Sequence, residues 1–269
     1  MEEILKKGNL MVEPCKEEGG EISGILLRTC KRKYTLKHYR PVTHCIFDLD
    51  GTLLATDSVY IEVYRKMLAE HGKILTEDLL RIVSAMTNEN SWKTSVKQIQ
   101  LNVPWRTLAE EYEKRTFERL GHCKLMPGVQ KLLLHLHRHE IPMAIASSTA
   151  QHLYRRKSAP HTELFKVFHH VVCGRSDPAV TENKPDPEIF TVCMDRFEDK
   201  PKPCDCLIFE DTLEGLSAAI DAGSQCVVIP PKGVYRQDFR LATLILNSLE
   251  EFQPELFGLP KYNSEAYNS

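Results

Sequence analysis

Four short stretches of the chain hold residues whose types and spacing suit a charged, oxygen-rich ligand. The first is Cys45-Ile46-Phe47-Asp48-Leu49-Asp50-Gly51-Thr52, an apolar run ending in two carboxylates two residues apart. Carboxylates at the mouth of a buried strand are costly unless a cation or a phosphate-handling role compensates them. Gly51 allows a sharp turn there, after which successive N–H groups can point at an anion. The second, Pro142-Met143-Ala144-Ile145-Ala146, runs into Ser147, whose hydroxyl can donate to a phosphoryl oxygen, with Ser148 and Thr149 beside it as candidate substrate contacts. The third, Lys184-Pro185-Asp186-Pro187, sets a lysine before a rigid turn and a helix start, which fixes a point charge. The fourth, Leu207-Ile208-Phe209, leads into a second acidic pair, Glu210-Asp211. Carboxylates gathered with a lysine and a serine match a hard cation such as Mg2+ next to a phosphate.

These groups can meet only if the elements carrying them share an edge. Short apolar runs at Val42–Asp48, Ile141–Ser147, Val167–Cys173, Leu207–Asp211 and Cys226–Pro230 predict strands, and helical patterns lie between several of them. In the stretch 128–139, Val129, Leu132, Leu133 and Leu136 fall at i, i+3, i+4 and i+7, one apolar stripe of a helix. Strands alternating with such helices predict a Rossmann-like α/β core, a parallel sheet with helices on both faces. The carboxyl ends of its strands then line one crevice, where all four stretches end. Residues 57–125 read as helical with hardly any strand; Gly72 is placed to end one helix and Pro104 to open another. The expected organisation is an N-terminal extension over 1–40, a discontinuous core over 41–56 and 126–262, an inserted all-helical cap over 57–125, and a tail over 263–269.

In order and spacing, the four stretches resemble the haloacid dehalogenase-like phosphohydrolases over residues 42–230. Leu125-Met126-Pro127-Gly128-Val129 and the segment 244–260 further resemble pseudouridine-5′-phosphatases. The resemblance implies that Asp48 is a nucleophile forming an aspartyl-phosphate, and that Asp50 is the general acid and then base. It implies Mg2+ held by Asp48, the Asp50 backbone carbonyl and Asp211, with Glu210 a direct or supporting ligand, and Ser147 and Lys184 holding the phosphoryl oxygens. The cap would close over the site and select the leaving group, and the substrate would be pseudouridine 5′-phosphate or a related nucleoside or sugar phosphate.

Three positions depart from the family pattern. Ala55-Thr56-Asp57 stands where the family has Asp-Ser/Thr-Glu, which removes a side-chain acceptor at the hinge. Asn183 replaces a common glycine, a change that a left-handed asparagine would tolerate. Met86-Thr87-Asn88-Glu89 occupies the cap turn where relatives present glycine and bases; Asn88 and Glu89 are candidate substrate contacts, and an acid there would repel a phosphate. A phosphosugar mutase shares the two aspartates but needs phosphate-binding bases in its cap, which this turn does not offer. A diverged binding protein of the same fold is the reading from a different class; retention of Asp48, Asp50, Ser147, Lys184 and Asp211 weighs against it.

Composition narrows the classes. With 35 Lys+Arg against 37 Asp+Glu, the chain lacks the positive charge of a dedicated nucleic-acid binder. The one hint is local: residues 1–23 carry a net −3 and residues 24–40 a net +6, including Lys31-Arg32-Lys33, which reads as a solvated segment outside the core. No apolar run is long enough for a membrane span. Nine cysteines without a secretory signal predict reduced thiols in a cytoplasmic monomer. His135, His137 and His139 read as an exposed helix face, and Trp92 and Trp105 as core or cap lining.

Overall fold

A strand buried on both faces has no use for polar alternation, and this is how the central strands read: His44–Phe47 (β1), Met143–Ser147 (β2) and Cys206–Glu210 (β4) are buried at every position. The computed structural model describes residues 39–262 except 84, 85, 87 and 232. Nearly all of the N-terminal extension, with Lys31-Arg32-Lys33, as well as Thr87 and the tail 263–269, lie outside the described residues. With His170–Cys173 (β3), Gln225–Val228 (β5) and Leu244–Ile245 (β6), the strands form one parallel sheet ordered β3-β2-β1-β4-β5-β6. β6 was not among the expected strands; two residues are too few to show a period. β3 starts three residues later than the apolar run, because the N–H groups of Val167 and Phe168 bond back to Leu164 and Phe165.

The sheet's two faces carry separate cores. Cys45, Phe47, Met143, Ile145, Leu207 and Phe209 point one way, with Phe47 and Phe209 stacked at 4.5 Å. That face packs on Val129, Leu132, Leu133 and Leu136 of the helix Val129–Arg138 (α5). Ile46, Ala144, Ala146 and Ile208 point the other way, against the helices Glu188–Asp195 (α8) and Leu213–Asp221 (α9). Gln151–Ser158 (α6) and Thr162–Phe165 (α7) connect β2 to β3.

The insert between β1 and β2 is a helical cap of Thr56–Glu70 (α1), Glu77–Val83 (α2), Asn88–Gln98 (α3) and Trp105–Leu120 (α4). Gly72, at φ +68°, lies two residues beyond α1, and Pro104 caps α4. Trp92 is fully buried, stacked 4.2 Å from Tyr64 and set edge-on to Tyr112, so it is cap core. The two chain crossings pair with each other: Leu54 bridges Leu125, Ala55 N–H donates to Lys124 O at 2.9 Å, and Met126 N–H to Leu53 O at 2.9 Å. Among the described residues no helix is long and apolar enough to cross a membrane, and seven cysteines are free thiols.

One expectation is corrected on α5. His137 and His139 are exposed, but His135 is buried, with Nε2 2.7 Å from Pro260 O and its ring 4.5 Å from that of Tyr262. The chain returning after β6 covers this flank of the helix, which the pattern within α5 could not reveal.

Candidate active site

In a parallel sheet the first residues beyond β1, β2 and β4 come to one edge, and here they bring the charged groups together. Lys184, on the loop before α8, reaches back with its side chain only 5% exposed and donates to Asp48 Oδ1 at 2.5 Å, Glu210 Oε1 at 2.5 Å and Ala146 O at 2.9 Å. The three acceptors belong to the ends of the three central strands, so one ammonium ties β1, β2 and β4 at the site. Burial alone would lower the lysine's pKa, but the two carboxylates outweigh it and keep the group charged.

The carboxylates are more numerous than their cation. Oxygens of Asp48, Glu210 and Asp211 lie within 4.8 Å of one another, all buried. Burial pushes Asp48 up to about 7, Glu210 and Asp50 adding to the rise and Lys184 opposing it. Burial, with the charges of Asp48 and Glu210, pushes Asp211 up to about 9. Glu210 already has its partners: beyond Lys184, its Oε2 accepts from Thr212 Oγ1 at 3.1 Å and from the N–H of Asp211 at 3.2 Å. Asp211 Oδ1, by contrast, is buried without a hydrogen-bond partner. An excess of buried negative oxygen with one orphaned acceptor is the donor set a hard divalent cation fits.

Glycines make room for this cluster. Gly51 sits at φ +83°, and a Cβ there would stand 2.0 Å from Asp211 Oδ2. Its own N–H bonds to Leu54 O at 2.9 Å, so the glycine's part at the cluster is the space it leaves beside the carboxylate. At Gly215 a Cβ would fall 1.9 Å from Glu210 Cδ, so the absence of a side chain lets Glu210 lie against the first turn of α9.

The remaining candidates separate. Ser147 is buried at the end of β2, and its Oγ accepts from Thr149 N–H at 3.2 Å, leaving its own O–H able to donate. Thr149 turns its hydroxyl to Lys157, 3.2 Å away, and Ser148 is half-buried. Asp50 lies farther out, with both carboxylate oxygens 2.8 Å from Lys157 Nζ. Asn88 and Glu89 diverge although adjacent. Asn88 lines a cleft of about 660 Å³ between cap and core, donates from Nδ2 to Ala109 O at 3.1 Å, and leaves a buried Oδ1 without a partner. Glu89 is exposed, 3.7 Å from Lys93, and is not part of the cleft wall, which removes the ground for repulsion of a phosphate there. Nor is Asn183 left-handed: among the described residues, Gln100, Glu140 and Lys200 are the non-glycine positions of positive φ.

Sequence reasoning missed the cleft's composition. Tyr60, Tyr64 and Tyr112 line it together with Asp57 and Arg81, so a base does face it, although Arg81 also pairs with Asp78 at 3.2 Å. Asp57 opens into the cleft, has its pKa raised by burial and by the charge of Asp50, and in turn raises that of Asp211, which makes it the shared wall between cleft and carboxylate cluster.

The family model for haloacid dehalogenase-like hydrolases matches residues 45–229, more than half of the chain and every group just described around Lys184. The chain is a haloacid dehalogenase-like hydrolase. A protein of Drosophila melanogaster named "probable pseudouridine-5′-phosphatase" is 38% identical over 226 residues, covering 84% of this chain and 98% of the fly protein. A mitochondrial (DL)-glycerol-3-phosphatase of Arabidopsis thaliana is 36% identical over 224 residues, covering 82% of this chain and 75% of its own. Among solved structures, a hydrolase of the same family from Deinococcus radiodurans, with bound phosphate and sodium, superposes with a TM-score of 0.70 at 22% identity, covering 82% of this chain and 99% of its own; that likeness speaks to the fold. Within the haloacid dehalogenase-like hydrolases the chain is a phosphoric monoester hydrolase acting on small phosphorylated metabolites.

The glycine geometry gives a test that separates crowding from backbone strain. Gly51→Ala is expected to lower phosphate release by at least about 100-fold and to cost about 1–3 kcal/mol in urea unfolding, since a strained φ and a blocked carboxylate coincide. Gly72→Ala, at φ +68° with nothing within 4 Å, bears only the backbone strain and should keep full activity. Equal losses of activity in the two variants would count against a special role for the Asp211 cradle.

Proposed function

We propose that the chain is a Mg2+-dependent phosphatase of nucleoside 5′-monophosphates, with pseudouridine 5′-phosphate the preferred substrate. The observation that carries this reading is the pairing of two environments across Asp57: buried carboxylates around one lysine on the sheet side, and a tyrosine-lined cleft on the cap side. The first suits a phosphoryl group and the second an aromatic base, whose flat faces tyrosine rings can stack on. Asn88 Oδ1, buried and unpaired, would accept from a ring N–H of a pyrimidine. The name of the fly relative points the same way.

The residue roles follow from the contacts. Asp48 attacks phosphorus and becomes the aspartyl-phosphate, its free oxygen aimed by the grip of Lys184 on the other. The Asp50 carboxyl gives its proton to the departing 5′-oxygen and then takes one from the water that cleaves the intermediate. Ser147 O–H and Lys184 hold phosphoryl oxygens as negative charge builds. Asp48, the Asp50 carbonyl and Asp211 are the oxygens that would hold Mg2+, with Glu210 bracing the lysine and the start of α9. The ion supplies charge neutralisation for the phosphoryl group and its nucleophile.

The test is phosphate release with Mg2+ from pseudouridine 5′-phosphate, uridine 5′-phosphate, glycerol 3-phosphate and hexose phosphates. Pseudouridine 5′-phosphate is expected to lead by at least about tenfold in kcat/KM, the size of discrimination a pocket's shape and polar groups readily provide. A preference for glycerol 3-phosphate would overturn the aromatic-cleft reading and leave the hydrolase standing. Conversion of a sugar phosphate to its isomer without phosphate release would indicate a mutase.

A further inference from the structure

Lysine is strongly hydrated and is rarely buried without a partner. Lys157, in the last turn of α6, has a side chain only 3% exposed and belongs to none of the four motif stretches. Its ammonium has three N–H donors and meets three acceptors: Asp50 Oδ1 and Oδ2 at 2.8 Å each, and Thr149 Oγ1 at 3.2 Å. We propose that Lys157 is a positioning residue for Asp50: in the acid step one Asp50 oxygen carries the proton to the leaving oxygen while Lys157 keeps its hydrogen bond to the other and so fixes the plane of the carboxyl. The assignment rests on the reading of Asp50 given above.

Three observations support it. Asp50 is the outermost of the two motif aspartates, with a side chain 32% exposed against 10% for Asp48, so without a grip on both oxygens its carboxyl would turn freely. The clamp also continues inward: Thr149 receives Lys157 at its hydroxyl and donates its N–H to Ser147 Oγ at 3.2 Å, so one run of hydrogen bonds joins the proton donor to a residue proposed to hold the phosphoryl group. Finally, α6 is itself fixed. The neighbouring Arg156 donates to Phe117 O at 3.0 Å and Glu118 O at 2.8 Å on α4, and Gly121 leaves the room it needs, since a Cβ there would lie 2.6 Å from the guanidinium carbon. The helix that carries the clamp is thereby fastened to the cap. Stability alone does not call for a lysine here, because a buried ion pair gains little over a well-packed apolar replacement.

The test compares kcat/KM, which reports steps through departure of the leaving group, on two esters: an alkyl phosphate, whose leaving oxygen needs a proton, and p-nitrophenyl phosphate, whose phenolate leaves without one. Lys157→Met is expected to lose about 100-fold on the alkyl ester and less than about tenfold on the aryl ester, the share an oriented general acid provides. In an Asp50→Asn background the same substitution should cause no further loss, because its effect passes through Asp50. Lys157→Arg, which keeps the buried charge, carries the same comparison should Lys157→Met melt early, and is expected to show an intermediate ratio between the two esters. Equal losses on both esters, or a full additional loss in the double variant, would overturn the assignment and leave Lys157 a structural residue. A wild-type protein that releases phosphate from neither ester would overturn the reading of the whole site, and the clamp with it.

Discussion

Asp48→Asn is expected to reduce Mg2+-dependent phosphate release by at least about 10⁴-fold on every ester, the scale on which loss of a catalytic nucleophile is felt. The size follows from what the substitution leaves and what it removes. Asparagine matches aspartate in shape, and the backbone N–H of residue 48 would still bond to Phe209 O, now 2.9 Å away, so the loop keeps its path. Lys184 would keep Glu210 and Ala146 O as partners, so no buried cation is stranded. Only the attacking oxygen is lost, and a neutral amide is a poor nucleophile toward phosphorus. The fold should tolerate the change well, because it takes one charge out of a crowded acidic cluster. Melting curves within a few degrees of each other, together with lost turnover, are the expected pair of results. Retained turnover would move the covalent step to another residue and undo the roles assigned here.

How much of this arrangement can be read from the chain depends on how local its cause is. Five of six strands stand out because each is an apolar run that stops at a polar residue, and those stopping points are the site: Asp48 after β1, Ser147 ending β2, Glu210 ending β4. Lys184 is legible from the turn that follows it. Lys157 is hidden by its neighbours, since Arg155-Arg156-Lys157 reads as a solvated basic face. A finer signal was available: Lys157 lies four residues after Leu153 and three after Tyr154, both packed on the core, so it falls on the inward stripe of α6. Glu89 fails for the reason Lys157 was missed. Adjacent residues on a helix point about 100° apart, so α3 turns Asn88 to the cleft and Glu89 to solvent, and a motif aligned on sequence cannot tell the two apart. His135 needed knowledge of a contact 125 residues away, at Pro260.

Withdrawal of the divalent cation should change stability as well as activity, and by an amount that depends on pH. Asp48 is pushed up to about 7 and Asp211 to about 9 by burial and by neighbouring carboxylates, from an ordinary value of 3.8. Without a cation, the folded chain therefore holds protons at these sites that the unfolded chain has already released. Stability contributed this way is present at low pH and falls as pH rises, from about 4 through 7 for Asp48 and on toward 9 for Asp211. Chelated protein should melt lower at pH 8 than at pH 5.5. Bound Mg2+ favours the ionised carboxylates, so added Mg2+ should raise the melting temperature strongly at pH 8 and weakly at pH 5.5. At 100 times its dissociation constant a ligand adds about 2.7 kcal/mol, which for a domain of this size is a shift of about 5–10 °C. Asp211→Asn removes the group with the higher pKa and the negative charge a cation would neutralise, so it should flatten the pH slope of the chelated protein and abolish the Mg2+ shift. A Mg2+ shift of equal size at both pH values, or one that survives in Asp211→Asn, would mean that the ion binds elsewhere, because only sites that must lose protons to bind it carry this pH dependence.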